Sequence, residues 1–224
     1  QSITLQHAPW LSGLHQGMYY EYAGYIMPIK NGAGGLNLIY LTTGPTDVID
    51  DNGVYKGTYT TFDIAAALNY GLRLNPQLGI GLGWKFIYSY LVAPWVFDKL
   101  PKLGRGGGVG ITYAFDVSAL YKPFEFGSLG LVLQNIGPDI RYTESGASDP
   151  LPYTLRIGLK LQPVNSKVVK VRITGEITKV LVGMFADPDN TFFENLRYEM
   201  QEAWKGAGLE IDYFDFIQLR GGYF

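Results

Sequence analysis

Residues 151–162 read LPYTLRIGLKLQ. Every second residue is apolar: Tyr153, Leu155, Ile157, Leu159 and Leu161. The alternate set, Thr154, Arg156, Gly158, Lys160 and Gln162, is polar or small and carries two full charges. A repeat of two is a β-strand whose two faces meet unlike surroundings. Strands of soluble sheets usually run about five or six residues, whereas a strand crossing a bilayer in a tilted barrel needs about 9–11. Length is therefore the first discriminator.

The pattern recurs. In 76–92, Leu78, Ile80, Leu82, Trp84, Phe86, Tyr88, Tyr90 and Val92 alternate with a set rich in Gly79, Gly81, Gly83, Lys85 and Ser89. In 58–74, Phe62, Ile64, Ala66, Leu68 and Tyr70 alternate with Asp63, Ala65, Ala67, Asn69 and Arg73. In 108–121, Val109, Ile111, Tyr113, Phe115 and Val117 oppose Gly110, Thr112, Asp116 and Ser118. In 169–178, Val169, Val171, Ile173 and Ile177 oppose Lys170, Arg172, Thr174, Glu176 and Thr178, most of which could not face lipid cheaply. The spacing predicts eleven strands, near 2–8, 16–28, 34–43, 57–74, 76–92, 107–122, 127–137, 152–162, 167–180, 206–213 and 216–224. Short connections (30–34, 75–77, 122–127, 163–167, 214–215) alternate with mostly long ones (9–15, 44–56, 93–106, 138–151, 181–205). That sorting marks an outer membrane barrel; a soluble sandwich has no reason for it.

Composition agrees. The chain has 224 residues and a net charge of −2, which argues against nucleic acid as a partner. Aromatics make up 15% and charged residues only 17%, with 17 Tyr and 29 Gly, as suits a barrel with aromatic girdles and small inward residues. There is no cysteine, and no apolar run approaches the roughly 18 residues of a membrane helix. Eleven is odd for a closed bacterial barrel, and an open sheet edge in lipid would leave backbone groups unpaired. In the final strand Ile217, Leu219, Gly221 and Tyr223 form the lipid-type set, which puts Phe224 on the other face. A single barrel domain over 1–224, truncated at both ends, is expected.

Residues 189–205 break the two-residue repeat. A helix is expected there in an external loop, capped by Asp189 or Asn190 and ended by Gly206, with Phe192, Leu196, Met200 and Ala203 or Trp204 on one stripe.

Several segments in order resemble one family. HAPWLSGL (7–14) follows a short strand. The Tyr-rich GMYYEYAGYIMP (17–28) comes next, then the long run 36–89. In 130–159 a strand ends in Asn135-Ile136-Gly137, and Leu151-Pro152 precedes an alternating strand. GAGLEIDYFDFIQLRGGYF (206–224) closes the chain. Together they resemble the PorV/PorQ family. The resemblance implies a fold similar to FadL, a fourteen-stranded barrel with an N-terminal plug, of which eleven strands are present here. It implies the outer membrane of a Gram-negative bacterium as location. It also implies a role in type IX secretion: receiving exported cargo by its C-terminal signal domain and passing it to the attachment machinery. Secreted cargo, other secretion components and outer membrane lipid are then the partners. A FadL-like channel for hydrophobic small molecules is the alternative.

Catalytic chemistry is not expected. His7 and His15, the only histidines, flank the first loop and read as loop residues rather than a metal pair. No Ser–His–Asp arrangement suggests itself. GIGLGW (79–84) has Gly at every second position, which leaves room in a wall rather than cradling a phosphate. In VIDDNG (48–53), Val48 stands where a calcium loop needs Asp, so Asn52-Gly53 reads as a turn. No cofactor or metal is expected. The charges Arg156, Lys160, Lys170, Arg172 and Glu176 are expected to face the lumen, pairing with one another or, the favoured expectation, with a plug. Partner contacts are expected on the long loops, at Trp95, Phe97 and Leu100 and at Phe192, Leu196 and Met200. Trp95 to Leu100 form an apolar cluster rimmed by Asp98, Lys99 and Lys102, of the kind that marks interaction sites.

Overall fold

The structure, a computed structural model, describes residues 1–9, 17–100, 107–142, 148–182 and 191–223. Eleven strands form one antiparallel sheet in sequence order, with β1 and β11 at its two ends. They are β1 (Ser2–Pro9), β2 (Tyr19–Ile29), β3 (Gly32–Ile49), β4 (Tyr55–Arg73), β5 (Leu78–Tyr90), β6 (Val109–Phe124), β7 (Gly127–Ile136), β8 (Thr154–Asn165), β9 (Val169–Val180), β10 (Trp204–Tyr213) and β11 (Ile217–Tyr223). Two short helices interrupt them, α1 (Pro94–Lys99) and α2 (Phe192–Glu202). The eleven predicted strands are all present. Most are far longer than a soluble strand: β3 has 18 residues, β4 19 and β6 16.

The loop expected at 44–56 is instead a hairpin. β3 and β4 run on through it and leave only 50–54 as a turn. Gly44 and Gly57 adopt positive φ (82° and 142°) and Pro45 lies within β3, so the alternation breaks where the strands do not. Asp50 closes the turn. Its carboxylate accepts the amides of Asn52 and Val54, each at 2.9 Å, and pairs with Lys56 at 2.8 Å. The Lys56 ammonium, then the Val54 amide, hold the Asp50 carboxyl below its usual range. Gly53, at φ 76°, completes the turn as Asn52-Gly53 predicted.

Helix α1 falls where a loop was expected; Pro94 in its first turn is preset for helical φ. The N-cap of α2 is Thr191, not Asp189 or Asn190, which lie outside the described residues. Its hydroxyl accepts the Glu194 amide, while the Glu194 carboxylate accepts the Thr191 amide at 2.9 Å, a reciprocal capping box. The helix ends at Ala203, and Gly206 belongs to β10. Hydrogen bonds from Thr191 hold the Glu194 carboxyl below its ordinary value. A carboxyl lowered on folding contributes stability above its unfolded pKa of about 4.3, lost as pH falls through the lowered value. Amide protection in the first turn of α2, taken relative to intrinsic exchange, is therefore expected to fall as pH drops below about 4.3. Thr191→Ala should accelerate exchange there about fivefold at neutral pH, the effect of losing a typical cap. Unchanged exchange in that variant would show that the box does not hold the helix.

The described residues form two compact units. One comprises Gln1–Tyr70, Gly83–Phe115 and Ile136–Leu151; the other comprises Gly71–Leu82, Asp116–Asn135 and Pro152–Phe224.

Candidate functional site

In the second unit the pairing register fixes the two faces. Ile157 lies opposite Ile177, Leu161 opposite Ile173, and Leu209 opposite Ile173. Ile157, Leu159, Ile173, Leu209, Ile217 and Leu219 share this face and are all exposed. The opposite face carries the charges. Arg172 lies across from Glu210, which lies across from Arg220, and Lys170 lies across from Asp212, which faces Gln218. Direct contacts follow this ladder. Arg156 donates to Glu176 at 2.7 Å. The Arg172 and Arg220 guanidiniums both donate to Glu210, and Lys170 donates to Asp215. Asp212 is almost completely buried, with Arg172 at 3.6 Å and the Gln218 amide donating at 3.2 Å.

Four of the five charges singled out in the sequence thus meet partners on their own strand, a neighbouring strand or the β10–β11 turn. Lys160 shares their face, opposite Thr174. Glu210, Asp212 and Arg220 escaped sequence reasoning, because only the β9–β10–β11 register brings them to Arg172. Their even spacing in 206–224 was the available signal.

In the first unit, β1–β3 repeat the division. Ile3 and Leu5 face Tyr25 and Ala23, which face Leu36 and Leu38; the larger side chains are exposed. On β4–β6 the opposite face receives the connection after β7. The Pro138 carbonyl accepts from Thr112 at 3.0 Å, Tyr142 donates through its hydroxyl to Ser89 at 3.2 Å, and Ser89 donates to Asp63. Ile140 is buried there, closer to Gly110 than any side chain at 110 would allow. His7 is not a loop residue as expected. It lies in β1 opposite Glu21, with Nδ1 2.7 Å from the carboxylate. His15 lies outside the described residues.

The predicted partner residues are dispersed. Trp95, Val96 and Leu100 belong to a cluster with Val48, Ala93, Tyr59, Tyr90 and Val92. Trp95 sets its edge against Tyr59 at 6.2 Å between centroids and takes the Lys99 ammonium over its ring at 4.8 Å. Phe97 is half-buried and Met200 is exposed. The side chains of Phe192 and Leu196, like Lys102 and Phe224, lie outside the described residues. The expected α2 stripe does not include Trp204, which opens β10 and is exposed; Glu199 is buried and pairs with Lys179 instead.

Among the described residues no helix is long and apolar enough to cross a membrane. An exposed apolar face on long antiparallel strands far exceeds the isolated patches of a soluble surface. The solved structures most similar in fold include the P. putida toluene transporter TodX. Its TM-score is 0.56 at 13% identity, over 91% of this chain and 66% of that one. A second crystal structure of the Pseudomonas putida TodX gives 0.50 at 12% identity, over 91% and 67%. The fold class is therefore that of the FadL-like transmembrane barrels. The chain belongs to the family of the type IX secretion system protein PorV, whose model matches residues 1–187. The match ends short of the 206–224 segment that entered the resemblance. No curated protein matches the chain.

Proposed function

We propose that this chain forms most of the wall of an outer membrane barrel that binds exported cargo by its C-terminal signal domain and hands it to the cell-surface attachment machinery. The family match carries this reading. Secreted cargo and other type IX components are then its partners, lipid covers the apolar face, and no chemistry is performed on the cargo. The lumen receives Arg156, Lys160, Lys170, Arg172 and Glu176. A channel for hydrophobic solutes is less well supported: likeness to TodX concerns the fold alone, and paired charges are a poor lining for an apolar ligand.

Partner contacts are assigned to the long connections that carry α1 and α2. On the first, Phe97 leads, with Trp95 and Leu100; on the second, Met200 leads, with Phe192 and Leu196. The test uses the full-length protein and a cargo signal domain. Phe97→Ser and Met200→Ser together are expected to lower capture at least about tenfold, the loss typical of a hot spot, while the barrel still folds. Trp95→Ser is the less clean variant because Trp95 packs on Tyr59. Full capture by a folded double variant would remove these residues from the contact. Absence of capture by the wild-type protein would remove the cargo reading itself.

A further inference from the structure

We infer that the row of rings from His7 to Tyr90 marks the level at which the outer leaflet's headgroups meet the wall; this rests on the outer membrane reading above. The row crosses five consecutive strands. His7 lies 5.6 Å from Tyr19, Tyr19 lies 5.9 Å from Tyr40, and Tyr40 lies 5.8 Å from Phe62. Phe62 stacks in turn on Tyr88 at 6.0 Å and on Tyr90 at 5.1 Å. Register puts the first three rings on the face that carries Ile3, Leu5 and Leu38.

The composition of that face changes at the row. Along β4, Phe62 is followed at every second position by Ile64, Ala66, Leu68 and Tyr70. It is preceded by Thr60 and Thr58, both exposed, and by Lys56. Along β3 the exposed Leu36 and Leu38 lie on the other side of the row from Thr42, which is buried and donates to the Thr61 carbonyl at 2.8 Å. Hydrocarbon would penalise the hydroxyls and the lysine, while water would leave the leucines uncovered. Rings with an apolar body and a polar tip belong between these media.

The second observation concerns charge rather than ring packing. His7 and Glu21 form a pair on this otherwise apolar face, with side chains 58% and 46% exposed. Such a pair is costly in hydrocarbon but sits well among headgroups. It lies at the level of Tyr19 and Tyr40, as Glu21 is opposite Tyr40. The distance below the row also fits. β4 continues for 11 residues from Phe62 to Arg73 and β5 for 12 from Tyr90 to Leu78, enough for the roughly 9–11 that a tilted strand needs to cross. Above the row β3 continues for nine residues from Leu41 to Ile49, so the β3–β4 hairpin stands up to about 30 Å clear of the bilayer at about 3.3 Å per residue.

The chain has no cysteine, so single cysteines can be labelled cleanly. Thr58→Cys, Thr60→Cys, Ala66→Cys and Leu68→Cys are placed in the full-length protein, each bearing a nitroxide. The protein is reconstituted in phosphatidylethanolamine–phosphatidylglycerol vesicles. Collision with oxygen is compared with collision with a water-soluble nickel chelate. The expected result is a reversal between 60 and 66: the chelate dominates at 58 and 60, oxygen at 66 and 68. Oxygen dominance at 58 and 60, or chelate dominance at 66 alone, moves the boundary and overturns this assignment while leaving the barrel intact. Chelate dominance at all four positions overturns the membrane reading and this assignment together.

Discussion

Adding one methyl group at position 137 is expected to prevent the protein from folding. A Cβ at Gly137 would lie 2.1 Å from the carbonyl oxygen of Tyr113 and 3.1 Å from the Cα of Ala114. Both are backbone atoms of β6, so no rotamer change relieves the contact. The cost should exceed the roughly 1–3 kcal/mol of ordinary overpacking, a large part of a protein's whole stability. Gly34 and Gly221 supply the control, since nothing lies within 4 Å of a Cβ at either. Gly137→Ala is expected to lose the compact, heat-modifiable species seen on gels of folded barrels, whereas Gly34→Ala and Gly221→Ala keep it. A folded Gly137→Ala protein with near-normal stability would mean that the end of β7 does not approach β6 this closely.

The same motif shows where sequence reasoning stops. Asn135-Ile136-Gly137 was legible as a family likeness, but its physical cause lay in contacts far along the chain. Asn135 adopts φ 63°, which Asn tolerates better than most residues. Its amide donates to Asp116 at 2.9 Å, and its side chain donates to the Pro152 carbonyl at 3.0 Å. Strands β8 and β9 were legible because the repeat of two runs unbroken from Tyr153 to the register shift between Leu161 and Val164, and again from Val169 to Ile173. The upper halves of β3 and β4 were not, since Gly44, Pro45 and Gly57 look like loop residues when seen without their partners. Helix α1 is six residues long, too short to show a helical period, and its Trp95 and Val96 looked like an exposed patch rather than the lid of a small core. The charged face was half legible. Residue types gave Arg156 and Arg172 their side, but only the β9–β10 register brings Glu210 and Asp212 to Arg172.

That division of faces carries the second large effect. Ile157→Arg and Ile173→Arg are each expected to cost about 2–4 kcal/mol, the penalty for Arg near the midplane on the lipid side of a barrel. Both residues are exposed on the face shared with Leu159 and Leu209. Thr174→Arg, one residue from Ile173 on the charged face, should cost less than either. Arg172 and Glu210 flank that face, and a lumen accommodates charge. Urea unfolding from vesicles reads the three costs. Reporters on single cysteines add a direct view: brominated lipid tails are expected to quench at 157 and 173 and to spare 156 and 172. Equal quenching at all four positions, or equal costs for Ile173→Arg and Thr174→Arg, would mean that the two faces meet the same surroundings. The alternation in LPYTLRIGLKLQ would then need a cause other than a bilayer on one side and a charged interior on the other.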